Sequence, residues 1–148
     1  MSAQGYDLRR RPFKLKAESL KLKAVATKIK YEDYKKYEVW KKAHELNMFI
    51  YLTLLPKFPK IEQYDLMSQT KRASYSIPLN IVEGCGRNTE ADFARFLDQA
   101  LGSAHELEYC CLMCRDLSYI DEQLYQQTNT IINEVKAMLI GLIKTLRK

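Results

Sequence analysis

The chain has 148 residues, of which 47% are hydrophobic and 28% charged. That is a globular composition with room for one core and a tail, since a second core would need roughly another hundred residues. Five glycines and four prolines are too few turn formers for a many-stranded sandwich or barrel, so the fold class expected is all-α.

The formal charge of +6 is unevenly placed. Residues 1–36 hold eleven bases (Arg9, Arg10, Arg11, Lys14, Lys16, Lys21, Lys23, Lys28, Lys30, Lys35, Lys36) against four acids (Asp7, Glu18, Glu32, Asp33), a net +7. The other 112 residues, with 13 bases and 14 acids, carry −1. The basic surface is therefore delivered by an arm, residues 1–36, and the body, residues 37–148, is almost neutral. In the arm Phe13, Leu15, Leu20, Leu22, Val25 and Ile29 alternate with lysines over short stretches, and neither a helix nor a strand period persists. Such a segment either neutralises phosphates on RNA or DNA, pairs with an acidic partner, or serves as a solvated extension. No apolar stretch follows Arg9–Arg11 as a signal peptide requires. The longest apolar runs fall short of the ~20 residues that cross a bilayer, so a cytoplasmic protein is expected.

Four helices are predicted in the body. From Tyr34 to Leu55, apolar residues at Val39, Ala43, Leu46, Ile50 and Leu54 share one helical face, and Pro56 ends it. A second helix carries Leu66, Thr70, Ala73, Ile77, Ile81 and Gly84, with Pro78 inside it, a kink expected near Ser74, and Gly84 and Gly86 to stop it. Asn88 or Thr89 caps a third, whose face is Phe93, Leu97, Ala100, Ala104, Leu107, Cys111 and Cys114. Gly102, Ser103 and Ala104 allow a neighbouring backbone close to it. Asp121 caps a fourth that runs to the chain end. Its apolar residues form two stripes, Ile131, Val135, Met138 and Leu142, and Ile132, Leu139, Ile143 and Leu146. This is wider than one core requires and predicts self-association. Short connections make the bundle antiparallel, up-down-up-down.

No catalytic constellation emerges. The two histidines, His44 and His105, follow Lys41 and Gly102 by three residues, where a di-iron bundle has glutamates. No HExxH and no glycine-rich phosphate loop is present. The nine residues between Arg95 and His105 leave no arginine–histidine nuclease motif. Cys111 and Cys114 fall on the apolar face with Leu107 and read as small core hydrophobes; with no second ligand pair, a zinc site is not expected. No cofactor is expected. Tyr31, Tyr34 and Tyr37 stand among lysines, where ring packing is favoured over base stacking.

The most informative polar pattern is Gln69, Arg72, Ser76, Asn80, Glu83 and Arg87. Its spacing places all six on one line of the second helix. Apolar residues flank it on both sides, so it reads as a hydrogen-bonded seam against another helix or subunit, with Glu106 as a candidate partner.

One ordered set of segments carries a resemblance: Phe58-Pro59-Lys60, Ser68 to Ala73, Ser76 to Gly84, Gly86-Arg87, Phe93 to Leu97, Ala100 to Glu108 and Glu134 to Lys144. Over residues 37–148 the chain resembles the four-helix-bundle proteins encoded in intervening sequences of 23S ribosomal RNA genes. That resemblance implies a bacterial, cytoplasmic, non-enzymatic homopentamer, with Ile132, Leu139, Ile143 and Leu146 as the oligomer interface. A related group, the accessory variability proteins of diversity-generating retroelements, implies nucleic acid and a reverse transcriptase as partners. The cysteine cluster and the arm depart from the family pattern. The function expected is a non-catalytic homo-oligomer that binds structured RNA or DNA. Its phosphate contacts would come from Arg9, Arg10, Arg11, Lys14, Lys16, Lys21 and Lys23, with Lys71, Arg72 and Arg87 as secondary contacts. The alternative is a protein-interaction adaptor, such as an accessory subunit of a retroelement reverse transcriptase.

Overall fold

Apolar side chains recurring every three or four residues oblige each helix to bury one face. In the computed structural model, which describes residues 33–148, four helices do so: α1 (Glu38–Phe49), α2 (Leu66–Cys85), α3 (Glu90–Asp116) and α4 (Glu122–Leu146). The chain divides into two units, Met1–Tyr31 and Glu32–Lys148, and the bundle is the second. Among the described residues there is no strand.

Cross-helix bonds fix the register. Ser74 Oγ donates to Asn47 Oδ1 at 2.8 Å between α2 and α1. Gln69 reaches Glu106, and Ser76 meets Ser103, between α2 and α3. Lys136 bonds Glu108 at 2.6 Å, and Arg147 pairs with Asp98, between α4 and α3. Lys42 meets Glu134 at 2.8 Å and ties α1 to α4. Residue numbers rise on one helix as they fall on the next, giving the expected up-down-up-down bundle. Leu46, Ile50, Leu54, Ile77, Ile81, Leu97, Leu107, Ile132, Val135 and Leu139 are fully buried at its centre, each contributing about 1.5–3 kcal/mol of burial.

The helix ends follow local chemistry. Thr89 Oγ1 accepts from Asp92 N at 3.1 Å and Asp121 Oδ1 from Leu124 N at 2.8 Å, which caps α3 and α4 as their sequences imply. At the start of α2 the cap comes from a distance: Glu62 accepts from Leu66 N at 3.1 Å and from Tyr119 Oη at 2.9 Å. One carboxylate thus ties the α1–α2 connection to the α3–α4 turn. Helix α3 closes with Tyr119 N bonded to Cys114 O and Ser118 N to Arg115 O, the Schellman pattern, with Ser118 at φ 63° in the left-handed position usually taken by glycine.

Three expectations are corrected. The first helix is not continuous from Tyr34 to Leu55: a 3-10 turn (Tyr34–Lys36) precedes α1, and a π turn (Ile50–Leu54) and a 3-10 turn (Leu55–Lys57) follow it. Pro56 has no N–H to give and its ring crowds the carbonyl of Leu52; the backbone widens so that Leu55 N reaches Ile50 O instead. Gly84 does not stop α2. It is buried inside the helix, where a Cβ would lie 2.6 Å from Phe93 Cδ2 and 3.0 Å from Phe96 Cβ, so its role is the close approach of α2 to α3.

The third correction concerns the surface assigned to self-association. Ile132 and Leu139 are fully buried and Ile143 is 8% exposed, so these three hold the subunit together, while Leu146 is half-buried and packs on the same core. The other stripe is used as well: Val135 is fully buried, and Ile131, Met138 and Leu142 pack on the core. Helix α4 lies against both α3 and α1, and two neighbours consume an arc wider than one stripe.

Candidate nucleic-acid interface

Arg9, Arg10, Arg11, Lys14, Lys16, Lys21 and Lys23 lie outside the described residues. The described body contains 15 bases and 15 acids, and ion pairs engage many of its cations. Lys41 is paired with Glu38, Lys42 with Glu134 and Glu45, Arg115 with Asp116 and Glu122, Lys136 with Glu108, and Arg147 with Asp98.

The three secondary candidates separate. Lys71 and Arg72 are neighbouring exposed residues of α2, and among the described residues neither forms a salt bridge. Arg72 Nη2 donates to Gln69 Oε1 at 3.2 Å, which leaves its charge uncompensated. Arg87 is 16 residues further along the chain, about 24 Å at the helical rise. Its guanidinium lies 4.6 Å from the centre of the Phe96 ring and 3.9 Å from Asp92, a carboxylate that Arg95 shares at 2.9 Å. The fold thus brings Lys71 and Arg72 together as free cations and places Arg87 in a packed corner.

The polar line on α2 is the seam its spacing implies, built against α3. Ser76 and Ser103 hydroxyls meet at 2.8 Å, and Asn80 Nδ2 donates to Ser76 O at 2.9 Å and to Ser76 Oγ at 3.1 Å. Gln69 Nε2 donates to Glu106 Oε2 at 3.5 Å, so the partner of Glu106 is the amide of Gln69. Its middle is half-buried and its ends are exposed.

Tyr34 packs edge-on against Trp40 at 4.9 Å between centroids and Tyr37 against Phe93 at 5.5 Å, the packing role expected of them. Tyr31 lies outside the described residues. Sequence reasoning missed the row beside them. Trp40 stacks on His44 with centroids 5.2 Å apart and planes 5° from parallel, and His44 and Met48 of α1 and Tyr51 of the following π turn continue the row as exposed residues. The spacing 40, 44, 48, 51 was the available signal.

All four cysteines are buried and none forms a disulfide. Burial away from water pushes the thiols of Cys110, Cys111 and Cys114 up, Cys114 to about 12, with the neighbouring thiols adding to the effect at Cys111 and Cys114. They are protonated and unreactive at neutral pH. Among the described residues no group of three or more His, Cys, Asp or Glu could hold a metal ion, and no helix is long and apolar enough to cross a membrane. At the bundle end that carries the α1–α2 connection, Leu52, Ile61 and Tyr64 are 71%, 82% and 85% exposed.

Fold, register and seam define the class: an up-down-up-down four-helix bundle with its thiols locked inside and its charge balanced across the body. The chain belongs to the 23S rRNA-intervening sequence protein family, whose profile matches residues 35–141. It is also similar to the crystal structure of a protein of unknown function from the S23 ribosomal protein family of Bacteroides thetaiotaomicron VPI-5482. The two share 29% identity, and the match covers 72% of this chain and 98% of that one with a TM-score of 0.66. No curated protein matches the chain.

Proposed function

We propose that this protein is a non-catalytic, cytoplasmic homo-oligomer that binds RNA or DNA through its basic arm, with Lys71 and Arg72 extending the contact onto the bundle. The observation that carries the reading is the division of charge: a +7 segment joined to a body whose acids and bases cancel. A chain selected only for solubility has no need to gather its cations at one end, whereas a polyanion releases counterions to such a segment. The homopentamer implied by the family resemblance would set several arms on one particle and raise their effective concentration.

Filter binding of the full-length protein to duplex DNA and structured RNA between 50 and 300 mM salt tests it. Replacing Arg9, Arg10, Arg11, Lys14, Lys16, Lys21 and Lys23 by glutamine should flatten the slope of log K against log salt by up to about 6 on duplex, and K71Q/R72Q by up to about 2. Unchanged slopes reject the arm's role. Leu52, Ile61 and Tyr64, large apolar side chains open to water at one bundle end, favour a second reading, a protein adaptor whose partner would be a reverse transcriptase. Co-purification that is lost in I61D/Y64D and retained in the arm variant would support it.

A further inference from the structure

We propose that the outer face of α1 and of the π turn that follows it, formed by Trp40, His44 and Tyr51, is a stacking platform for single-stranded nucleic acid. The proposal rests on the nucleic-acid reading above and names the form of ligand and the site. Stacking needs rings whose faces are reachable and cations placed to meet the phosphates that come with each base. The reachable rings are those of His44 and Tyr51, both exposed; half-buried Trp40 backs His44, parallel to it at 5.2 Å and in edge contact with Tyr34 at 4.9 Å. Trp40 is thereby fixed in orientation, which lowers the ordering entropy of binding.

Cations border the same face. Lys35 lies in the turn that carries Tyr34, with its ammonium 5.9 Å from the Tyr34 ring. Residues 1–32 join the body at Asp33, beside this turn. On α2 the Ser74–Asn47 bond sets the register, so Lys71, one turn earlier on α2, stands level with the π turn after α1, where Tyr51 lies. Of the carboxylates nearby, Glu38 is paired with Lys41 at 2.8 Å, Glu45 shares Lys42 with Glu134, and Asp33 accepts from Lys35 N at 3.0 Å. The face thus offers exposed rings with Lys35 and Lys71 beside them, complementary to a polyanion with exposed bases. A duplex hides its base faces from such rings.

Trp40 is the single tryptophan of the chain, so its fluorescence reports the site directly. The full-length protein is titrated with oligothymidylate and with a blunt duplex of equal charge. The expected result is a saturable change in Trp40 emission with the single strand and none with the duplex. His44→Ala and Tyr51→Ala should each weaken single-strand binding by about tenfold while leaving the salt slope set by the lysines and arginines in place. His44→Phe should restore it. Wild-type affinity in both alanine variants, or an equal response to duplex and single strand, overturns the platform while leaving charge-driven binding intact. Binding of neither nucleic acid overturns both readings. An emission change that follows protein concentration without nucleic acid, abolished in Tyr51→Ala, assigns the face to self-association and overturns the proposal.

Discussion

Gly84→Ala separates close packing from helix propensity, because the same substitution can be made at two open sites. At position 84 the new Cβ would sit 2.6 Å from Phe93 Cδ2, 3.0 Å from Phe93 Cε2 and 3.0 Å from Phe96 Cβ. The Phe93 ring is buried and packs on Tyr37, 5.5 Å between centroids, and Phe96 Cβ is fixed to the α3 backbone, so neither neighbour can retreat cheaply. Overpacking of this kind costs about 1–3 kcal/mol. A methyl at Gly102 or Gly141 meets nothing within 4 Å. All three positions are helical and share the alanine advantage of up to about 1 kcal/mol. The difference between G84A and the mean of G102A and G141A therefore isolates the packing cost. It should be about 1–3 kcal/mol, or about 4–10 °C in Tm at this chain length. Urea unfolding followed by circular dichroism, with m held constant across the set, measures it. If the three variants shift stability by the same amount in the same direction, the close approach of α2 to α3 does not have the energetic role assigned to it.

Ser118 holds a left-handed backbone conformation that glycine adopts without strain. Ser118→Gly should gain about 0.5–1 kcal/mol, and Ser118→Val should lose stability; a neutral S118G refutes the strain. The buried thiols should resist a disulfide reagent at pH 7.5 in the native protein and release four equivalents on unfolding in guanidinium. One fast-reacting cysteine would contradict their burial. The same burial sets a pH dependence. Folded-state values are raised, so the unfolded chain loses its thiol protons first, and stability present below about pH 8.5 falls as pH rises toward 12. A Cys111→Ala/Cys114→Ala variant should show a shallower decline in urea midpoint between pH 8.5 and 10.5. An identical decline would assign the effect to other groups.

Much of the bundle is legible without coordinates. The faces Val39–Ala43–Leu46, Ala73–Ile77–Ile81 and Leu97–Ala100–Ala104–Leu107 are buried as their spacing implies, because a helix has one way to present residues three and four apart. The caps at Thr89 and Asp121 are equally local. The candidate site was less legible. In the sequence Trp40 and Tyr51 carry no signal of a site and His44 reads only as a histidine without metal-ligand spacing, since an exposed ring and a core ring have the same period. Only the Tyr34 turn and the register with α2 distinguish the two.

Helix α4 shows where the boundary falls. Its sequence determined that two apolar stripes exist, because 3.6 residues per turn fixes their angular positions whatever surrounds them. It could not determine what meets them. That both stripes turn inward, with Ile132, Leu139 and Ile143 in the core and Ile131, Met138 and Leu142 packed on it, was decided by the tertiary structure. A helix wedged between two neighbours buries a wider arc than a helix lying on one, and the number of neighbours is a property of the assembled bundle.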